Sequence, residues 1–148
     1  MERPSEYTTP QVAKILEIPQ RKILSYIERR YITASIQDAD GHGSRRLWHL
    51  WDLDKIHLIR KCEKLGVSVR GLRTLSKTLV PPFWPGILLK VKECPYLVMN
   101  EHGDMAPVEY SLEKQVNIVG GPSVVIPLKD IVAEVEEMLE KAGYGRKE

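Results

Sequence analysis

Arg21, Lys22, Arg29 and Arg30 recur along one short stretch, with Gln20, Ser25 and Tyr26 among them. Arg45 and Arg46 follow as an adjacent pair after His42. The chemistry these residues can do is recognition of a polyanion. Guanidinium and ammonium groups attract phosphates whatever the base sequence, and that attraction weakens with salt. Arg, Lys and Ser also match the donor and acceptor edges that bases present in a groove. Arg21, Lys22 and Ser25 lie within about one helical turn, so they can reach base edges together. Arg45 and Arg46 are the best phosphate contacts. Tyr26 either donates its hydroxyl to a phosphate or is a core tyrosine. His42 and His49 read as hairpin surface. The candidate DNA-binding set is therefore Gln20, Arg21, Lys22, Ser25, Tyr26, Arg29, Arg30, His42, Arg45 and Arg46.

The elements that position them follow from spacing. Thr8 and Thr9 can cap a helix, and Pro10 suits its first turn. Val12, Ala13, Ile15 and Leu16 give that helix an apolar face. Glu17-Ile18-Pro19 breaks it, and Pro19 can open the next helix. Ile23, Tyr26 and Ile27 then face inward, leaving Gln20, Arg21, Lys22, Ser25 and Arg29 outside. Small Ala13 suits a close helix approach, and Ile18 can plug the turn. From Tyr31 the period becomes two, with Ile32, Ala34 and Ile36 as a half-buried strand. Residues 38–44 are turn chemistry, and Arg45-Arg46-Leu47-Trp48 returns as a second strand. The pair makes a basic wing, fixed to the helices by Trp48 and Trp51. Asp52 reads as an N-cap for a helix carrying Leu53, Ile56, Ile59 and Cys62. Gly66 ends that helix, and Ser68 caps another bearing Val69, Leu72, Leu75 and Leu79.

Three prolines and a glycine at 81–86 mark a boundary, so 80–86 is expected to be a linker. Beyond it, residues 87–91 suit a strand or a short helix. Tyr96–Asn100 and Met105–Tyr110 look like a hairpin across a turn holding His102 and Asp104. Ser111–Lys114 opens a short helix before Gly120-Gly121, and Ser123–Ile126 is a β-branched run. Pro127 starts a last helix with Leu128, Ile131, Val132, Val135, Met138, Leu139 and Ala142 on one side, ended by Gly143. Its Glu134, Glu136, Glu137 and Glu140 read as a solvated acidic face. The fold class expected is α+β: a winged helix-turn-helix over 7–79, then a small α+β region over 87–143 ending in a helix.

Composition agrees. The chain has 148 residues and is 43% hydrophobic and 28% charged, as ordinary globular domains are. Its net charge of +2 hides an asymmetry: residues 1–79 hold 15 Lys/Arg against 9 Asp/Glu, and residues 80–148 hold 7 against 11. A polyanion partner is thus expected for the first half alone. No apolar run approaches the roughly 18 residues of a membrane span. The N-terminus has no apolar signal core, so the expected location is the cytoplasm. Cys62 and Cys94 lack metal-ligand spacing and read as free thiols. With no nucleophile–base set, phosphate loop or metal signature, neither an enzyme nor a cofactor is expected.

Val12-Ala13-Lys14 with Ile18, Tyr26-Ile27-Glu28-Arg29, Gly43-Ser44-Arg45-Arg46-Leu47-Trp48, Asp52-Leu53, Leu65-Gly66-Val67-Ser68 and Leu72 form an ordered set. With it, residues 7–79 resemble the DNA-binding domain of MerR-type transcriptional regulators. Leu97-Val98, Ser111-Leu112-Glu113, Gly120-Gly121 and Glu134-Val135-Glu136 are similar to the tail of a subset common in actinobacteria. The resemblance implies a dimer on a pseudo-palindromic operator that it distorts. Expected partners are double-stranded DNA, a second copy of the chain and RNA polymerase, with a small-molecule effector unidentified. Arg30 stands where the family usually has Gly: either the helix exit differs or Arg30 adds a phosphate contact. Leu24-Ser25 replaces a usual Arg-Tyr pair. The long dimerising coiled coil and the cysteine loop of metal sensors are not evident, so metal or thiol sensing is not expected. The alternative function is an excisionase-like adaptor, architectural on DNA or protein-binding.

Overall fold

The structure is a computed structural model that describes residues 3–37, 45–93, 95–100, 105–107 and 123–145. Among the described residues helices dominate beside two small sheets, and the class is α+β. Strand β1 (Tyr7–Thr8) runs directly into helix α1 (Thr9–Leu16). Thr8 caps α1 reciprocally with Gln11, its hydroxyl taking the Gln11 N–H while Gln11 Oε1 takes the Thr8 N–H at 2.8 Å. Glu17 turns the chain in the left-handed region at φ 52°, and Ile18 plugs the joint at 5% exposure. Helix α2 (Gln20–Glu28) follows, with Ile23 and Tyr26 fully buried.

Arg30 leaves α2 at φ 63°. That left-handed value is why glycine suits the position: a side chain there costs about 1 kcal/mol or more.

The wing departs from expectation. Tyr31, Ile32 and Ala34 are buried, but residues 31–36 form no strand. Only Gln37 bridges Leu47. Strand β2 (Leu47–Trp48) pairs instead with β1, Tyr7 opposite Trp48 and Thr8 opposite Leu47. The cause lies in two anchors. The Trp48 indole is fully buried and donates to Thr9 Oγ1 at 2.9 Å, which ties β2 to the start of α1. The Asp52 carboxylate takes both the Ser35 N–H at 3.1 Å and its hydroxyl at 2.6 Å, drawing that backbone toward a helix end. The turn at 38–44, His42 included, lies outside the described residues.

Helix α3 (Leu50–Lys64) begins earlier than expected. His49 is its N-cap: Nδ1 accepts the Trp51 N–H at 3.3 Å, and the ring stacks on Trp51 at 3.5 Å. Asp52 is not the cap but its partner in the first turn, accepting the His49 N–H at 2.9 Å. Burial raises the Asp52 carboxyl, against the hydrogen bonds that hold it down, and lowers the His49 ring. Gly66 leaves α3 at φ 86°, and Ser68 caps helix α4 (Val69–Thr78). Leu72 and Leu75 face inward, while Val69 is half exposed.

The expected linker folds. Residues 83–89 form helix α5 (Phe83–Leu89), which buries Trp84. Pro85 is tolerated because it lies in the first turn, where backbone N–H groups have no helical partner. The Trp84 indole donates to Trp51 O at 2.8 Å, fastening α5 to α3.

Strands β3 (Tyr96–Asn100), β4 (Met105–Pro107) and β5 (Ser123–Pro127) form an antiparallel sheet in the order β4-β3-β5. The expected hairpin and β-branched run both fall in it. The expected short helix at 111–114, the Gly120-Gly121 turn and Cys94 lie outside the described residues.

Helix α6 (Leu128–Lys141) packs on α1 and α3. Its stripe of Leu128, Ile131, Val135 and Leu139 is buried in a core that runs unbroken from Tyr7 to this helix. Its polar face is not simply solvated. Arg3 grips Glu136 through two nitrogens at 2.8 and 2.9 Å, and Lys141 meets Glu17 at 3.0 Å. No described helix is long and apolar enough to cross a membrane.

Candidate nucleic-acid interface

Pairing of β2 with β1 sets the geometry of the basic face. Because β1 runs into α1, the residues just before β2 are held beside the start of α1 and the N-terminus of α2. A groove of about 480 Å³ results, lined by Thr8, Thr9, Pro10, Gln20, Leu24, Arg45 and Arg46. It brings wing arginines and the second helix of the helix-turn-helix onto one surface, although Gln20 and Arg45 are 25 positions apart. Gln20, Arg21, Leu24 and Glu28 are exposed, Ser25 is half-buried, and Arg45 is exposed beside a half-buried Arg46.

Tyr26 and Lys22 of the sequence-derived set turn toward Glu63 of α3 instead. Tyr26 is fully buried and donates its hydroxyl to Glu63 Oε1 at 3.0 Å. Burial, then that hydrogen bond, pushes its hydroxyl well above the ordinary value. Tyr26 is thus a core residue, not a phosphate contact. Lys22 turns back toward α3, with Nζ 3.0 Å from Glu63 and 5.3 Å over the Tyr26 ring. Arg29 is exposed, with Nη1 at 4.0 Å from the same carboxylate. Burial raises the Glu63 carboxyl, but hydrogen bonds from Lys22 and Tyr26 outweigh it and hold it below its usual value. Arg30 stands at the exit of α2, away from this groove.

Two arginines that sequence reasoning passed over hold the motif. Arg60 donates to Leu16 O at 2.7 Å, at the end of α1 where helix carbonyls lack partners. Arg73 donates to Arg29 O at 3.1 Å and secures the end of α2. Arg60 also donates to His57 Nδ1 at 2.8 Å, so the His57 proton sits on Nε2, 2.7 Å from Glu134 Oε2. Burial keeps the His57 ring below its ordinary pKa despite that carboxylate. This relay fastens α6 to the helix-turn-helix. Leu24 was also passed over as a groove residue. Its signal was an apolar side chain off the inner face of Ile23, Tyr26 and Ile27. Such a side chain suits a thymine methyl.

The elements and their order define a helix-turn-helix with a basic wing strand, a class that puts one helix in the major groove. Residues 7–79 match the family model of the MerR HTH family regulatory protein, and the N-terminal half of this chain is a MerR-type regulator domain. It is a DNA-binding, transcription-regulating domain. A comparison with curated proteins finds no match. Among the described residues no cluster of His, Cys, Asp or Glu is arranged to hold a metal ion.

Proposed function

We propose that the chain regulates transcription by binding a pseudo-palindromic operator as a homodimer. The observation that carries the reading is the shared groove, which sets Gln20 and Leu24 of α2 against Arg45 and Arg46 of the wing. In this reading Gln20, Arg21, Leu24 and Ser25 meet base edges. Arg45, Arg46 and the exposed Arg29 and Arg30 meet phosphates. Base contacts then specify the site, and phosphate contacts fix the register. The protein acts in the cytoplasm as a regulator rather than a catalyst, with RNA polymerase as the partner its operator brings close.

The dimer reading rests on the MerR family match, whose operators are expected to mirror a two-fold protein. The apolar stripe of α6 does not support it, because that stripe is covered within the monomer. Dimer contacts after Pro82 must therefore use other surface. Light scattering at tens of micromolar decides this, a mass of 16.9 kDa excluding the dimer. Selection of bound genomic fragments, followed by footprinting, tests the rest. The expected result is a few sites, each protected in two symmetric halves about one helical turn or a multiple of it apart. Many related, bent sites without a shared palindrome would instead indicate an architectural adaptor.

A further inference from the structure

A second cleft, of about 480 Å³, lies between the root of the wing, α3, the end of α4 and α5. Thr33 and Ser35 form one wall, Ser76 and Lys77 the other, and Trp51 and Trp84 line it together. Its size falls in the range of small-molecule sites, and so does its make-up of apolar surface with a few polar groups. The polar groups are unbalanced. Arg30, Lys55 and Lys77 line the cleft against one carboxylate, Asp52, which is already occupied by Ser35 and His49. Lys55 is only 7% exposed, yet among the described residues it makes one hydrogen bond, to Ser76 O at 2.9 Å, and no ion pair. An ammonium has three donors, so two remain for an incoming acceptor. Burial lowers this ammonium to about 8, and the nearby Asp52 carboxylate offsets that only in part, so it stays largely charged at neutral pH with no direct ion pair among the described residues. The Trp51 indole N–H is also buried without a partner among the described residues.

We infer that this cleft is a binding site for a small organic anion, a carboxylate carried on a flat apolar ring. The carboxylate sits against Lys55, and the ring lies beside Trp51 and Trp84. The inference is independent of operator recognition, and its test uses no DNA.

The chain has three tryptophans, which makes the test direct. Two line the cleft, and Trp48 is buried at the β1–β2 pair, outside it. The full-length ¹⁵N-labelled protein is titrated at pH 7 with 1-naphthoate as probe and, in parallel, with the neutral 1-naphthylmethanol. Saturable shifts of the Trp51 and Trp84 indole signals are expected, with Trp48 unmoved. The alcohol should bind about tenfold or more weakly than the acid, since hydrogen bonds to charged groups are the stronger ones. Lys55→Met keeps the methylene packing and should remove that preference. If Lys55→Met does not fold, Lys77→Gln at the exposed rim should weaken the acid about threefold and the alcohol little. Absence of saturable shifts, equal movement of Trp48, equal affinity of acid and alcohol, or a preference untouched by these substitutions would overturn the inference.

Discussion

Removing the charge of Glu63 should weaken the fold and tighten DNA binding at once. Glu63 holds Lys22 Nζ at 3.0 Å and the buried Tyr26 hydroxyl at 3.0 Å, with Arg29 at 4.0 Å. Glu63→Gln keeps an acceptor for Tyr26 but lets Lys22 and Arg29 go. Both pairs are partly exposed, and such pairs contribute about 0.2–1 kcal/mol each, so the stability loss should stay below about 2 kcal/mol. Glu63→Ala also strands the Tyr26 hydroxyl, which adds about 1–3 kcal/mol. Denaturant unfolding reads these losses, and alanine should cost more than glutamine. On DNA the sign reverses. A freed Lys22 that reaches a phosphate steepens the plot of log affinity against log salt by about 0.9. Fluorescence anisotropy of a labelled duplex across a salt series measures that slope. Specific and random duplexes should gain alike, because phosphate contacts carry no sequence information. An unchanged slope, or weaker binding to both duplexes, would refute the idea that Glu63 restrains these cations.

Other outcomes follow from the same contacts. Leu139→Ala should cost about 2–5 kcal/mol by denaturant unfolding, since Leu139 is fully buried, and a chain ending at Thr78 should fail to unfold cooperatively. Arg30→Gly should stabilise by about 1 kcal/mol, because φ 63° suits glycine, and should flatten the DNA salt slope if Arg30 meets a phosphate. His57 has a folded pKa below its ordinary 6.5, so the unfolded chain binds more protons between the two values. Its contribution is therefore complete above pH 6.5 and is lost as the pH falls through the folded value, by at most about 1.4 kcal/mol per pH unit. The wild type minus His57→Gln difference should show that loss and cancel groups that do not touch His57; a flat difference between pH 7 and pH 5 would contradict it.

Much of the helical framework was legible because it rests on local signals. Apolar spacing placed α1, α2, α3, α4 and α6, and Gly66 and Ser68 ended and began helices where expected. The pairing of β2 was not legible. A strand of two residues carries almost no pattern, and its choice of Tyr7–Thr8 depends on burying Trp48 against Thr9, 39 positions away. The proline cluster concealed α5, because prolines signal breaks yet are harmless in a first turn. The basic face was legible as composition and not as geometry. Its outward helical position made Lys22 a candidate, and its hydroxyl made Tyr26 one beside a core reading. Only the approach of α3, carrying Glu63, turned them inward. The stripe of α6 was read correctly as needing cover, but not that α1 and α3 supply it.

The most direct test of DNA reading through the α2–wing groove compares Arg21→Ala with Arg45→Ala on the best selected site and on random duplex, across salt. Arg45→Ala should weaken both duplexes alike and make the salt slope about one unit shallower. Arg21→Ala should cost about 1–3 kcal/mol on the selected site, relax preference at one base pair and spare random DNA. Wild-type affinity left intact by both substitutions would contradict DNA recognition through this groove.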